Sequence, residues 1–119
     1  MADKSFRAAH RYARISARKA RPVANLVRGR TVNLALEELA FCHRRASSML
    51  KKVIRSAMAN AGQDLDVDVN RLYVHDVRVD EGPTLKRWRP RAQGRVYPIL
   101  KRSSHISVVL AEMPEEAEG

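Results

Sequence analysis

Apolar positions recur at the three- and four-residue spacing of a helix through "RRASSMLKKVIRSAMANAG". Ala46, Met49, Leu50, Val53, Ile54, Ala57, Met58 and Ala61 share one face, while Arg45, Lys51, Lys52 and Arg55 occupy the other. Gly62 follows as a natural stop. A shorter helix is predicted in "TVNLALEELAF", opened by Thr31 or Asn33 as a cap, with Leu36 and Leu39 facing inward. A third runs through "SARKARPVANLVRG", where Ser16 can cap and Gly29 can stop it. Pro22 lacks a backbone donor and restricts Arg21 before it, so this helix is either kinked or starts at Pro22.

Beyond residue 62 the period changes to two. "RLYVHDVRV" places Tyr73, His75, Val77 and Val79 on one side, and "HISVVL" sets Ile106, Val108 and Leu110 together. Between these strands lies a segment with Gly82-Pro83, Pro90, Gly94 and Pro98. Two strands flanking one insertion predict an antiparallel hairpin whose arms reach roughly 50 Å at about 3.3 Å per residue. Such an arm has almost no core of its own and is expected to be poorly ordered in solution unless something holds it. The predicted class is α+β: helices, then a long hairpin.

Length and composition add two boundaries. At 119 residues with 45% hydrophobic residues, the chain is expected to fold as one α+β domain over residues 1–112, its extended hairpin spanning about 80–106. The Glu-rich end, residues 113–119, is expected to be a mobile acidic tail. No run of apolar residues is long enough to span a membrane, and no signal-like core follows Met1, so a soluble, cytoplasmic protein is expected. The single Cys42 cannot form an internal disulfide and reads as a small core hydrophobe.

Charge changes the picture more. Lys and Arg number 23 against 13 Asp and Glu, a formal net charge of +10, which points to a polyanionic partner. The excess is concentrated. Residues 1–30 carry Lys4, Arg7, Arg11, Arg14, Arg18, Lys19, Arg21, Arg28 and Arg30 against Asp3 alone. Residues 84–102 carry Lys86, Arg87, Arg89, Arg91, Arg95, Lys101 and Arg102 against no acid. Arg outnumbers Lys in both zones, and its planar fork grips phosphate bidentately and stacks on bases. Trp88, between Arg87 and Arg89, is expected to be exposed, where its indole can stack on an unpaired base.

Catalytic chemistry finds little footing. His10, His43, His75 and His105 are scattered without a second ligand at helical spacing, so no metal or other cofactor is expected. His75-Asp76 and Ser104-His105 are strand neighbours whose side chains point to opposite faces, which rules out alignment for proton transfer. "VRGRTVN" lacks the Gly-Lys-Ser/Thr ending of a phosphate-cradling loop. No helix-turn-helix, zinc finger or heptad segment points to duplex DNA, whereas an arm without a core suits the crevices of folded RNA. A free-standing regulator that binds nucleic acid transiently is the alternative, separable by whether association survives high salt.

"VDEGPTLKRWRPRAQGR" followed by "ILKRSSHISVVL" resembles the hairpin of the large-subunit ribosomal protein twenty-two family, the bacterial L-twenty-two proteins. The shared residues are Asp80-Glu81-Gly82-Pro83, Lys86-Arg87, Pro90-Arg91-Ala92, Gly94-Arg95, and Lys101-Arg102 before Ser104-His105-Ile106. Upstream, "ARPVANLVRGR", Ala35-Leu36 with Leu39, and "KKVIRSAMANA" also match, so the likeness runs over residues 8 to 110. The resemblance implies three helices on a small antiparallel sheet at the outer face of the large subunit. It also implies a hairpin that threads inward through large-subunit (23S) ribosomal RNA and helps line the nascent-peptide exit tunnel.

By the same resemblance, Arg7, Arg11, Arg14, Arg18, Lys19, Arg21, Arg28, Arg30, Lys86, Arg87, Arg89, Arg91, Arg95, Lys101 and Arg102 would meet RNA. Trp88, Pro90, Arg91, Ala92, Gln93, Gly94 and Arg95 would lie at the tip, facing the tunnel. Implied partners are 23S ribosomal RNA, neighbouring large-subunit proteins and the nascent peptide, with no membrane and no homo-oligomer. Three places depart from the family's habit. Gln93 stands where another Arg or Lys is more common, Val96-Tyr97-Pro98 where residues are smaller or more polar, and Trp88-Arg89 where the pair is often aliphatic.

Overall fold

The longest apolar stripe becomes helix α3, Arg45–Gly62, in the computed structural model, which describes residues 5–113. Ala46, Leu50, Val53, Ile54, Ala57 and Ala61 are buried along it, with Met49 and Met58 at the margin. Burying Leu50 or Ile54 removes a whole branched side chain from water, about 1.5–3 kcal/mol each. Helix α2, Val32–Phe41, starts at Thr31, whose hydroxyl accepts from the Leu34 N–H at 3.4 Å. Of its two expected inward leucines, Leu39 is buried and Leu36 half-buried.

Helix α1 spans Ala17–Val27 and contains Pro22, which settles the alternative left open by the pattern. The helix does not start at Pro22, since the Lys19 and Ala20 N–H groups already bond the Ser16 carbonyl at 3.1 and 3.2 Å. Pro22 is tolerated because it lies on the exposed face, while Ala20, Val23, Ala24 and Val27 pack inward. Gly29 then adopts φ +83°, and the turn it makes is tied to the sheet in both directions. The Gly29 N–H donates to the Val74 carbonyl at 2.9 Å and the Val74 N–H donates to the Arg30 carbonyl at 2.8 Å.

Five strands complete the chain: β1 (Ser5–Ala13), β2 (Leu72–Glu81), β3 (Leu85–Pro90), β4 (Val96–Lys101) and β5 (Ser104–Glu112). β1, β5 and β2 form one antiparallel sheet in that order, and β3 pairs with β4 in a separate two-stranded ribbon. β5, central in its sheet, turns Ile106, Val108 and Leu110 into the core as the alternation predicts. The helices cover that face, with α3 against β1 and β5 and α1 against β2. Cys42 packs at the core's edge, half-buried. Met113 is still held, its N–H donating to the Arg71 carbonyl at 2.9 Å. The rest of the expected acidic tail, residues 114–119, lies outside the described residues.

The phase read for β2 is corrected. Tyr73 and His75 do not share a face with Val77 and Val79. Val74 pairs with Leu110 and Asp76 with Val109, so His75 is the extra residue of a β-bulge. The bulge resets the alternation, so that Leu72 and Val74 before it and Val77 and Val79 after it are all buried, leaving Tyr73 half-buried and His75 exposed.

The hairpin protrudes as expected. The molecule measures 68 Å along its long axis against 26 and 19 Å across. The free arm is nearer 40 Å than 50 Å at about 3.3 Å per residue, because Val79–Glu81 still pair with Ser104–Ile106 inside the body's sheet.

Truncating Leu50 to Ala is expected to lower stability by about 3 kcal/mol in urea unfolding. Truncating Leu65, which is 97% exposed, is expected to change it by less than about 0.5 kcal/mol.

Candidate nucleic-acid interface

The register of the arm decides where its charges sit. Leu85 pairs with Lys101, Arg87 with Ile99 and Arg89 with Tyr97, which puts these six on one face of the ribbon. Lys86 with Leu100, Trp88 with Pro98 and Pro90 with Val96 occupy the other. One face therefore carries Arg87, Arg89 and Lys101, and the other is apolar except for Lys86. Each cation stands opposite an apolar partner rather than another cation, which avoids the directly opposed like charges that destabilise a ribbon. Of the twelve paired residues only Ile99 is even half-buried.

Trp88 is 64% exposed, as expected from its charged neighbours in sequence. It lies midway along β3 rather than at the tip. Its true neighbours, Pro98 directly across and Pro90 and Val96 beyond, form an apolar stripe that becomes visible only once the strands are paired. The tip is Arg91–Arg95, closed by the Arg91 N–H on the Arg95 carbonyl at 2.7 Å. Gly94 turns there with φ +71°, and Gln93 beside it adopts φ +67°. Ala92, Gln93 and Gly94 leave the Arg91 and Arg95 guanidinium groups exposed at the end of the arm.

At the root, the arm meets the body across a close backbone contact. The Gly82 N–H donates to the Ser103 carbonyl at 2.9 Å, and the Ser103 hydroxyl donates to the Pro83 carbonyl at 2.7 Å. A Cβ on Gly82 would stand 2.6 Å from Ser103 Oγ and 3.3 Å from the Ser103 carbonyl carbon, so only glycine fits without a shift.

Beside this root lies a cleft of about 690 Å³ in which Arg14 and Arg45 from the body face Arg87, Lys101 and Arg102 from the arm. It runs on through two shallower depressions, each about 460 Å³, past Ser16, Lys19 and Arg102 to Arg18, Arg44 and Arg45. Among the described residues, no acidic side chain lines any of the three. The groove passes the N-terminal ends of α1 and α3. At Ser16 and Arg44, which occupy their N-cap positions, no side chain caps the free N–H groups, and no acid occupies either first turn. Arg at such an end opposes the helix dipole, so the local arrangement favours an external anion as the missing partner.

The fifteen residues expected at RNA divide into two groups. Arg7, Arg11, Arg14, Arg18 and Lys19 are exposed, as are Lys86, Arg87, Arg89, Arg91, Arg95, Lys101 and Arg102. Arg21, Arg28 and Arg30 instead engage the protein itself. Arg21 Nη2 donates to the Val79 carbonyl at 3.3 Å, and Arg28 donates to the Val77 carbonyl and, at 2.7 Å, to Asn25 Oδ1. Arg30 Nη1 lies 2.7 Å from Glu38 Oε1. Arg44, Arg45 and Tyr12 were not singled out as site residues. In the sequence Arg45 stands only on the basic face of the long helix, and the folded position of β1 and the arm brings both arginines into the groove.

Two of the histidines, His75 and His105, are engaged elsewhere. His75 Nδ1 is 3.0 Å from the Tyr73 hydroxyl, and His105 Nδ1 accepts from the Tyr12 N–H at 3.1 Å. Asp76 faces Arg78 at 3.1 Å and Arg28 at 3.7 Å, so no His–Asp dyad forms.

The profile of the family described as "Ribosomal protein L22p/L17e" matches residues 8–111, a span that includes the arm and the whole groove at its root. The large ribosomal subunit protein uL22 of Bdellovibrio bacteriovorus is 52% identical over 106 residues, covering 89% of this chain and 96% of that protein.

Substituting Gly82→Ala is expected to displace the Ser103 hydroxyl from Pro83 and to destabilise the chain by about 1–2 kcal/mol in urea unfolding. Because the clash is with that hydroxyl, Gly82→Ala and Ser103→Ala are expected to be less than additive in the double variant.

Proposed function

Since the chain belongs to the ribosomal protein L22p/L17e family, we propose that it is a structural component of the large ribosomal subunit that binds 23S ribosomal RNA. Its arm threads inward between RNA segments and its tip helps line the nascent-peptide exit tunnel. The body sits at the subunit's outer face against neighbouring large-subunit proteins, in one copy, and the chain works in the cytoplasm as part of the ribosome. A family of ribosomal proteins is a structural one, so the chain is not an enzyme. The same membership sets aside the free-standing regulator.

The observation that carries the reading is an arm of about 40 Å with an exposed, acid-free surface and no core of its own. A ribbon of two strands is marginal alone in water, so its ordering depends on what surrounds it. RNA supplies phosphates for Arg87, Arg89, Arg91, Arg95, Lys101 and Arg102, and base surfaces for the stripe around Trp88. Arg7, Arg11, Arg14, Arg18 and Lys19 extend the contact onto the body. Arg21, Arg28 and Arg30 contribute charge at its margin while bonded to their own fold. The tip residues Ala92, Gln93 and Gly94 present small or neutral groups between Arg91 and Arg95, which suits a wall facing a passing peptide.

Tagged protein is expected to sediment with the large subunit from lysate at about 0.5 M salt, where loosely held basic proteins lose most of their electrostatic affinity. Recovery at the top of the gradient would sink the ribosomal reading. Replacing Arg87, Arg91 and Arg95 with Ala is expected to reduce incorporation more than replacing Lys51 and Lys52, measured as the fraction of tagged chain in the subunit peak. Equal losses would deny the arm a special role.

A further inference from the structure

The cleft at the root of the arm also contains Tyr12, the one non-glycine residue with positive φ among the described residues of the body. β1 pairs His10 with Ile106 and Ala13 with Ser104, so two residues of β1 stand against one of β5 in a bulge at Arg11 and Tyr12. Tyr12 adopts φ +59°, a left-handed conformation that is uncommon for an aromatic residue. The bulge turns the Tyr12 ring outward, where it stays 63% exposed at the mouth of the cleft. His105 fixes it there. Its Nδ1 accepts the Tyr12 N–H at 3.1 Å, and its ring meets the Tyr12 ring edge-on at 4.8 Å between centroids. The edge contact leaves ring surface free.

Ordinary core packing explains none of this. A tyrosine held in a strained backbone conformation, exposed, and braced by a second aromatic ring is placed for a partner outside the chain. The surroundings state its chemistry. Arg14, Arg45, Arg87, Lys101 and Arg102 line the same cleft, while Pro83 and Leu85 add apolar wall. A volume of about 690 Å³ falls within the roughly 300–1,000 Å³ range of small-ligand sites. Aromatic surface, apolar wall and five cations together match a nucleotide, with a flat base and flanking phosphates. An acidic peptide would use the cations and leave the ring without a role.

We propose that this cleft seats one unpaired nucleotide of the bound RNA, its base against Tyr12 and its flanking phosphates on Arg14, Arg45 and Arg102. The inference rests on RNA being the partner, and it adds a specific contact at the root of the arm. From the seat, the strand continues along the groove past Arg45 toward the open N-terminal ends of α1 and α3. A paired nucleotide cannot occupy the seat, because its base is already stacked and its edges are taken. The seat therefore selects a bulged or looped residue and fixes where the arm enters the RNA.

The test uses the full chain and two probes, a short unstructured oligouridylate carrying a photoactivatable thiouracil and a blunt RNA duplex of the same length. Irradiation of the unsubstituted chain with the first is expected to crosslink Tyr12, located by mass spectrometry of the digest. Tyr12→Ala is expected to weaken single-strand binding about tenfold and to leave duplex binding unchanged, with Tyr12→Phe close to the unsubstituted chain. Crosslinks confined to other residues, such as Trp88, would overturn the seat without requiring any variant to fold. So would equal loss on both probes, or polyglutamate binding with the same dependence on Tyr12. Sedimentation with the subunit is read separately. A chain that sediments with the subunit but never crosslinks at Tyr12 loses the seat and keeps the ribosomal reading. One that crosslinks at Tyr12 yet stays at the top of the gradient does the reverse.

Discussion

The antiparallel ladder between β2 and β5 is the constraint on which the rest of the molecule depends. Its inner half, where Val74, Val77 and Val79 meet Leu110, Val108 and Ile106, closes the core beneath α3. Its outer half launches the arm, carried past Glu81 and Ser104 by the Gly82–Ser103 backbone bond. One strand pair thus has two surroundings, the protein core on one side of Gly82 and open solvent on the other. The arm has no interior, so its direction is inherited from the body. The absence of a Cβ at Gly82 keeps the two segments in line, and the bulge at Tyr12 lets β1 leave β5 just where the arm departs.

Charge is organised around the same ladder. Along the free edge of β2, Arg21 and Arg28 from α1 donate to the Val79 and Val77 carbonyls, and the Gly29–Arg30 turn pairs with Val74. These contacts satisfy an edge that would otherwise offer itself to another chain. They show that a basic residue in a basic protein need not belong to the binding surface. The arginines of the groove and the arm are exposed and do not serve that edge. On the arm, Arg87 and Arg89 stand across the ribbon from Ile99 and Tyr97, and both are exposed. The arm can therefore carry cations at this density without placing any two directly opposite each other.

Much of this was legible in the chain. α3 and β5 declare themselves because one face of each is uniformly apolar, and the acid-free segment marks the arm by composition alone. β1 left no such mark, since its core-facing positions are Phe6, Ala8 and His10, a stripe too small and too polar to stand out. The phase of β2 was misread because a bulge at His75 adds a residue that periodicity cannot see. Trp88 was rightly read as exposed, yet its stripe of Pro98, Pro90 and Val96 comes from register rather than from sequence neighbours. Arg45 and Tyr12 belong to the site only through tertiary placement. Residues 31 and 90 positions apart, respectively, from Arg14 and Arg102 carry no shared signal along the chain.

The uncapped helix ends and the strained tyrosine bear on how such a surface can be stable before it meets its partner. Each departs from what a helix start or a strand prefers in isolation: Arg44 where a capping side chain is favoured, and Tyr12 where φ is positive. Departures of this kind persist when the surrounding fold over-determines them, and here it does. α3 is anchored by Leu50 and Ile54 whatever stands at its first turn, and β1 is fixed to β5 on both sides of the bulge. The core thus holds the groove, with its exposed cations and uncapped helix starts, in one shape. On the proposed reading, RNA docking at the root would meet an arrangement already in place there.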